Sequence, residues 1–252
     1  MDNNNLISAI IPVFNCERYL AESIESALAQ TYRPVEVIVI DDGSTDRTAE
    51  IALRYEPEIT YFYQPNAGSS AARNQGVRLS RGSYLAFHDA DDMWVKNKLA
   101  LQMQVFHDDP QEDAVFGHVK QFYSPDLDED TRKRIVCEEN LMPGFISTTM
   151  LIKREAFFRV GFFQTRWEIG EEMNWFIHAR EVGLKMVLLP DLLYYRRLHA
   201  ENKGMRLKDK QQQRLHILKA ALDRRRKNEI GQDQQEARQH EDSETQSFVN
   251  QQ

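Results

Sequence analysis

Short apolar runs alternate with helical patterns through the first ninety residues of the chain. Four runs rich in Ile, Val, Phe and Tyr predict strands: buried strands at 6–14 and 35–40, and further strands at 59–63 and 84–88. Three stretches with apolar residues three or four positions apart predict helices between them: 17–30, 47–54 and 69–79. Strands that alternate with helices are joined by right-handed crossovers. We therefore expect an α/β fold with a mainly parallel central sheet and helices on both faces.

The pattern becomes less regular after residue 117. Residues 118–144 contain an acidic stretch and predict a long loop. Helical periodicity returns at 153–160 and at 171–182, and a short apolar run predicts a late strand at 185–189. The regular alternation of strands and helices is thus a property of the first part of the chain.

The C-terminal fifty residues differ from the rest in charge. Residues 203–227 contain ten Lys and Arg against two Asp, a local charge of +8 in a chain whose net charge is −7. We expect a basic helix within 205–230 and a disordered, Gln- and acid-rich tail at 231–252. The apolar stripe of this helix is modest, so packing on the domain with a solvated basic face is the preferred interpretation. Peripheral contact of 205–227 with an anionic membrane surface is the alternative.

Composition narrows the class of protein. Hydrophobic residues make up 41% and charged residues 28% of 252 residues, which is ordinary for a soluble globular protein. The longest apolar runs fall far short of the ~20 residues that span a bilayer, and the first residues carry no basic signal region. Two cysteines supply neither a disulfide framework nor a thiolate metal site, and a pI of about 5.6 argues against a nucleic-acid partner. A cytoplasmic protein is expected, with the inner membrane face as the alternative location if the basic helix binds lipid.

Acidic residues follow two of the predicted strands. Asp41 and Asp42 come after the second strand, and the segment 89–92, Asp-Ala-Asp-Asp, comes after the fourth. The carboxyl ends of parallel strands form one edge of a sheet, where ligands of such folds bind. Carboxylate oxygens suit Mg²⁺ or Mn²⁺, ions that commonly bridge a protein to the phosphates of its substrate. The sequence therefore predicts a divalent cation and a phosphate-bearing ligand at this edge.

Four segments in order resemble a family 2 glycosyltransferase with the GT-A fold. They are Ile-Pro-Val-Phe-Asn at 11–15, Val-Ile-Asp-Asp-Gly-Ser-Thr-Asp at 39–46, the Asn-x-Gly-x-x-x-Ala-Arg-Asn-x-Gly motif at 66–76, and Phe-His-Asp-Ala-Asp-Asp-x-Trp at 87–94. Three later matches are Gly-Phe-Phe at 161–163, Glu-Glu at 171–172 and Arg-x-His at 197–199, so the resemblance covers roughly residues 6–204.

The resemblance implies a metal-dependent, inverting glycosyltransferase of the hexosyltransferase type. Such an enzyme would move a sugar from a nucleoside diphosphate, with UDP as the expected carrier, to a hydroxyl of an unknown saccharide, lipid or protein acceptor. Residues 1–117 would form the half that binds the nucleotide sugar, and residues 118–204 the half that binds the acceptor.

The resemblance also implies nucleotide-binding roles for six residues: Pro12, Val13, Phe14, Asp41, Arg73 and Asp89. Asp41 would accept a hydrogen bond from the uracil imide, which suits an acceptor-only carboxylate. Arg73 would pair with the base or a phosphate, because its planar fork matches either. Asp89 would bind the ribose.

Three further residues are implied at the diphosphate. Asp91 would bind a Mn²⁺ or Mg²⁺ ion that bridges the two phosphates. His199 would complete the metal shell or contact a phosphate, and a plain surface-loop histidine is the alternative. Arg197 would help to neutralise the phosphate charge.

Inverting transfer needs a base for the acceptor hydroxyl. In the family this is commonly the aspartate of a Glu-Asp pair before a helix, and here Glu171 and Glu172 stand in that place. Glu172 matches the aspartate but is one methylene longer, and which of the two glutamates acts stays open. Glutamates in a first helical turn are also favoured by the helix dipole, so a purely structural role is the alternative.

Two other classes of function stay open. A nucleotidyltransferase can use the same fold, although no glycine-rich, lysine-bearing loop for a triphosphate follows the first strand. A non-catalytic nucleotide-sugar-binding protein would keep the metal site and lose the base, and the Glu-Glu pair favours that alternative. Trp94 and Trp175 could stack on sugar rings, but large aromatic residues beside helix starts are more often core residues.

Overall fold

The computed structural model describes residues 5–166, 170–202 and 219. Helices and strands in these ranges follow one another as β1 (Ile7–Val13), α1 (Leu20–Leu28), β2 (Val35–Asp41), α2 (Thr48–Leu53), β3 (Ile59–Tyr63), α3 (Ser69–Leu79), β4 (Tyr84–Phe87), β5 (Met93–Trp94), α4 (Lys98–Asp108), β6 (Ala114–Tyr123), α5 (Glu129–Arg134), β7 (Met142–Gly144), β8 (Leu151–Lys153), α6 (Arg154–Val160), α7 (Glu171–Glu181) and β9 (Met186–Leu198).

Within the described residues the strands form one mixed sheet in the order β3-β2-β1-β4-β8-β6-β9-β5, with β7 paired to β6. The pairs β3–β2, β2–β1 and β1–β4 are parallel. The pairs β4–β8, β8–β6 and β9–β5 are antiparallel, whereas β6 and β9 run parallel. The predicted α/β fold class is confirmed, and the parallel arrangement belongs to the half of the sheet built from the first four apolar runs.

Strand β1 lies at the centre of this half, and all seven of its residues are buried. Its side chains alternate between two cores, as the pleat of a strand requires. Ile11 packs in a core with Leu20 and Ile24 of α1. Ile10 faces the other core, with Val77 of α3. Helices therefore cover both faces of the sheet, as predicted.

The prediction of a long loop at 118–144 is wrong. Strand β6 extends to Tyr123, and the same segment contains α5 and β7. Beyond Val119 the side chains of β6 are exposed or only half-buried, so this part of the strand lacks the apolar run that marks β1.

The late strand is longer than predicted. The apolar run at 185–189 stops at Pro190, which cannot donate a ladder hydrogen bond, yet β9 continues to Leu198. The pairing shifts register around His118, where the partner of Phe116 is Leu188 and the partner of His118 is Leu192. This irregularity accommodates the proline inside the strand. The additional length of β9 carries polar side chains to the edge of the sheet where β1, β2 and β4 end.

The predicted basic helix at 205–230 and tail at 231–252 lie outside the described residues, apart from Lys219, which is helical and exposed. Among the residues that are described, no helix has the length and apolar character needed to cross a bilayer.

Candidate active site

An acidic loop follows β4 at the carboxyl end of the parallel strands. Asp89, Asp91 and Asp92 each place a carboxylate oxygen within 4.8 Å of the others. The side chains of Asp89 and Asp91 are 37% and 26% exposed, whereas Asp92 is buried. Two of the three carboxylates can therefore reach a ligand at the surface.

Arg73 of α3 contacts both this loop and Glu172, the predicted catalytic base. Its Nη2 lies 2.8 Å from Oδ1 of Asp89 and 3.2 Å from Oε1 of Glu172. Burial, together with the charges of Asp91 and Glu172, raises the pKa of Asp89 to about 6 against the opposing effect of Arg73. Asp89, which is predicted to bind the ribose, and Glu172, the predicted catalytic base, thus both lie beside the buried guanidinium of Arg73.

Glu172 lies in the first turn of α7 and is held by the loop between β7 and β8. Ser147 donates through Oγ to Oε1 of Glu172 at 2.6 Å and through its backbone N–H to Oε2 at 3.3 Å. The side chain of Glu172 is 26% exposed, so it can meet a ligand. The side chain of Glu171 lies outside the described part of the chain.

His199 follows β9 and reaches the acidic loop. Its Nε2 lies 2.9 Å from Oδ2 of Asp91. Asn202 closes the turn by accepting from the backbone N–H of His199 at 2.7 Å, and its Nδ2 lies 3.4 Å from the same Asp91 oxygen. His199 is 7% exposed, so it is not a plain surface histidine.

Asp92 anchors the loop instead of facing a ligand. Its Oδ2 accepts from the hydroxyl of Tyr194 and its Oδ1 from the backbone N–H of Arg197, both at 2.6 Å. Burial and the neighbouring carboxylates raise the pKa of Asp92 well above its usual value. Strand β9 therefore helps to fix the position of the loop through the Asp92 carboxylate.

Arg197 is locked inside the protein. Its guanidinium carbon lies 4.8 Å from the ring centroids of both Tyr19 and Phe122, and Nε donates to the backbone oxygen of Asp91 at 3.0 Å. Its Nη2 pairs with Glu22, and the side chain is 4% exposed. A phosphate would reach this guanidinium only if the Glu22 pair opened, so the geometry favours support of the acidic loop over the predicted phosphate contact.

The residues predicted to hold the nucleotide base lie at the carboxyl ends of β1 and β2: Pro12, Val13, Phe14 and Asp41. Phe14 is 44% exposed and offers a ring to a ligand, whereas Asp41 has no exposed surface. Its Oδ1 accepts from the N–H of Ser44 and its Oδ2 from the hydroxyl of Tyr61, each at 2.8 Å. Because Asp41 has no exposed surface, a nucleotide base would contact its carboxylate only after the groups that cover it moved.

The residues present fit a hard divalent cation. Asp91 and His199 bring a carboxylate oxygen and an imidazole nitrogen together, and Asp89 adds a second carboxylate, whose pKa is raised by burial and by repulsion from Asp91 and Glu172. A cation at this point would relieve that repulsion. Asp92 is unsuited, because both of its oxygens already accept short hydrogen bonds from β9.

Sequence reasoning missed Ser147, Tyr194, Glu22 and Asn202. Asn202 lies only three residues after His199, and Asn is a common turn residue. Ser147, Tyr194 and Glu22 make their contacts with residues that lie between 25 and 175 positions away in the sequence, so no local pattern marks them. Trp94 and Trp175 are 4% and 2% exposed and belong to the core.

The α/β fold with its mixed sheet is similar to that of GT-A-type glycosyltransferases. The fold is similar to that of TarS 1–349 of S. aureus, solved with UDP-GlcNAc, at a TM-score of 0.62 and 22% identity over 78% of this chain and 60% of that one. It is also similar to the mannosyltransferase PcManGT of Pyrobaculum calidifontis, solved with GDP-Man and Mn²⁺, at a TM-score of 0.57 and 21% identity over 79% and 58% of the two chains. At these identities the similarity shows the fold alone.

Residues 8–167 match the model of Glycosyl transferase family 2, and the chain belongs to that family. An uncharacterized glycosyltransferase of Rickettsia typhi is 33% identical over 187 residues, which cover 69% of this chain and 59% of the relative. Glycosyltransferase GlyA of Streptococcus pneumoniae is 43% identical over 93 residues, 36% of this chain and 13% of the relative. The chain thus spans less than two thirds of the length of these relatives.

Proposed function

We propose that this chain is a metal-dependent, inverting glycosyltransferase that transfers a hexose from a nucleoside diphosphate to an acceptor hydroxyl. The observation that carries the proposal is the position of Arg73, which links Asp89 of the acidic loop to Glu172. The leaving group and the base of a displacement reaction must lie on either side of the reacting carbon, and this link brings residues for both into one site. Family membership and the nucleotide sugars of the two solved neighbours support the same reaction.

The donor would lie across the ends of β1, β2 and β4. Backbone around Pro12 and Val13 and the exposed ring of Phe14 would hold the base, with UDP as the expected carrier. Asp89 would accept hydrogen bonds from the ribose, since its side chain is the most exposed of the three in the acidic loop. In this position the diphosphate would lie beside Asp91.

Asp91 and His199 would hold a Mn²⁺ or Mg²⁺ ion. The ion, when bound, would neutralise the charge that builds on the departing diphosphate. The chain fixes this pair from the inside of the protein, because Arg197 holds the backbone of Asp91 and Asn202 holds that of His199.

Glu172 would act on the acceptor. Its carboxylate would take the proton of the acceptor hydroxyl while that oxygen forms a bond to the anomeric carbon and the bond to the diphosphate breaks. Attack from the face opposite the leaving group inverts the configuration. Residues 118–204 would supply the acceptor side, since they contribute both Glu172 and the loop that holds it.

Binding and turnover can be tested separately. Calorimetric titration with UDP, GDP and dTDP, with and without Mn²⁺, should show metal-dependent binding of one diphosphate, and Asp91→Ala should abolish it. Glu172→Gln should bind that diphosphate as the wild type does but lose transfer, measured as diphosphate release from the matching sugar donors. Glu129→Gln, which changes an exposed glutamate of α5, is the matched control.

Three outcomes would contradict the proposal. Binding of none of the diphosphates by folded protein would remove the donor site. Binding without turnover by the wild type would favour a non-catalytic binder. Release of pyrophosphate from a nucleoside triphosphate and a sugar phosphate would indicate a nucleotidyltransferase.

A further inference from the structure

We propose that Ser147 is a positioning residue that fixes the carboxylate of Glu172 for proton transfer and leaves Oε2 as the oxygen that receives the proton. The inference rests on the proposed function, because it gives Ser147 a task only if Glu172 is the base. It concerns a residue that none of the sequence motifs contains.

Ser147 contacts the carboxylate at both oxygens. Its Oγ lies 2.6 Å from Oε1, and its backbone nitrogen lies 3.3 Å from Oε2. A carboxylate held at one oxygen can still turn about its broad terminal torsion, whereas donors at both oxygens fix its plane. Ser147 has no exposed surface, so water does not compete for either contact.

The two oxygens of Glu172 differ in what they accept. Oε1 accepts from Ser147 and also lies 3.2 Å from Nη2 of Arg73. Among the described residues, Oε2 has only the longer backbone contact at 3.3 Å. Each carboxylate oxygen offers about two acceptor positions. Oε1 is therefore satisfied by the protein, and Oε2 keeps an acceptor position for a substrate hydroxyl.

This contact explains how a glutamate can stand where the related family pattern has an aspartate. The additional methylene gives Glu172 one more rotatable bond and a longer reach, which would spread the carboxylate over several positions. Effective proton transfer needs the base within hydrogen-bond reach of the hydroxyl, so such spread is costly. The two donors of Ser147 and the ion pair with Arg73 restrict the longer side chain to one arrangement.

The loop that carries Ser147 is itself well fixed. The backbone N–H of Met150 donates to the carbonyl oxygen of Ser147 at 3.1 Å, which closes a turn. The hydroxyl of Thr149 donates back to the carbonyl oxygens of Gly144 and Ile146. Gln102 of α4 donates to the carbonyl oxygen of Thr149 at 2.7 Å. A donor on a rigid, buried loop can hold a base in position throughout turnover.

Conservative substitutions of Ser147 can test this role. Ser147→Ala removes only the Oγ donor, Ser147→Cys replaces it with a weaker donor, and Ser147→Thr keeps it. Thr148→Val is the matched control, because the buried Oγ1 of Thr148 has no hydrogen-bond partner in the described part of the chain. For each variant, kcat and KM are measured by diphosphate release from the donor selected by the titrations, and diphosphate affinity is measured by calorimetry.

We expect Ser147→Ala to lower kcat about tenfold to a hundredfold, the loss typical of a misplaced reacting group, with unchanged donor KM and diphosphate affinity. Ser147→Cys should fall between Ala and wild type, Ser147→Thr should recover most of kcat, and Thr148→Val should match the wild type. In a Glu172→Gln background, Ser147→Ala should cause no further loss, because the group it positions is already gone.

The role of Ser147 is overturned if Ser147→Ala and Thr148→Val have the same kcat, or if Ser147→Ala lowers the residual rate of Glu172→Gln as much as that of the wild type. Should Ser147→Ala not fold, the Cys and Thr variants decide, and equal kcat for both would overturn the role. Failure of the proposed function looks different: the wild type and Glu172→Gln would then release diphosphate equally slowly, and the positioning role would fall with it.

Discussion

Replacing Tyr194 by phenylalanine tests whether β9 holds the acidic loop. The Tyr194 hydroxyl is buried and donates to Oδ2 of Asp92 at 2.6 Å. A hydrogen bond to a charged acceptor contributes about 1.5–3 kcal/mol, and the ring that remains preserves the packing. For a chain of this size that loss corresponds to a fall in Tm of about 3–12 °C.

The hydroxyl acts on an ionised carboxylate, which gives the effect a pH dependence. Because the pKa of Asp92 is raised by burial, the charge that Tyr194 stabilises is present only above that raised value. Tyr194→Phe should therefore cost the most stability in alkaline buffer and less as pH falls and Asp92 becomes protonated.

Thermal unfolding followed by circular dichroism at several pH values measures this loss. Tyr195→Phe is the matched control, because the neighbouring side chain leaves the strand on its other face and is half-buried. Equal Tm values for the two variants in alkaline buffer would refute the anchoring role. A loss for Tyr194→Phe that did not change with pH would show that the hydroxyl does not act through the Asp92 charge.

Three further substitutions have defined expectations. Burial lowers the pKa of Lys98 well below its usual value, so the unfolded chain binds more protons, and stability rises with pH between the folded and unfolded pKa values. Lys98→Met should remove that rise in urea unfolding measured at several pH values, and an unchanged dependence of stability on pH would contradict this prediction. A Cβ at Gly76 would lie 2.3 Å from Cγ2 of Ile10, so Gly76→Ala should destabilise the fold by about 1–3 kcal/mol, and unchanged thermal unfolding would refute the close approach. Arg197→Lys removes the planar guanidinium and should lower stability by about 2 kcal/mol and weaken metal-dependent diphosphate binding. The control Arg196→Lys changes an exposed residue and should have neither effect. Equal behaviour of the two variants would contradict the role of Arg197 in supporting the acidic loop.

The first half of the fold could be predicted because strands that are buried on both faces have a recognisable sequence pattern. The predicted strands at 6–14 and 35–40 match β1 and β2 to within one residue at each end, and most residues of these two strands are buried. Parallel strands covered on both faces need continuous apolar runs, and runs of this length bounded by turn residues are typical of buried strands.

The second half was harder because its strands depend on partners. The end of β6 is half-exposed, and β9 contains a proline, so neither has an unbroken apolar pattern. Each becomes a strand because the other lies beside it, with a register shift that only the folded pair shows. Helix α4 was not predicted, and its four buried residues include Lys98 and Gln102, which a search for apolar periodicity passes over.

The location of the site followed from topology, but its internal contacts did not. Asp89 and Asp91 could be placed at the ends of parallel strands from their order alone. The bond between Ser147 and Glu172 joins residues 25 positions apart, and the Tyr194–Asp92 bond joins residues 102 positions apart. Hydrogen bonds of this range are set by tertiary packing, for which one sequence carries no local sign.

The late position of β9 in the chain has a consequence for biosynthesis. The groups that hold the acidic loop, from Tyr194 to Asn202, are made 102 to 111 residues after their partners in the loop. At about 5–20 residues per second, the acidic loop is synthesised about 5–20 s before those groups exist. A chain interrupted in that interval would keep the four parallel strands but have an acidic loop without its anchors. Binding of the proposed cation would therefore require that synthesis had passed residue 202.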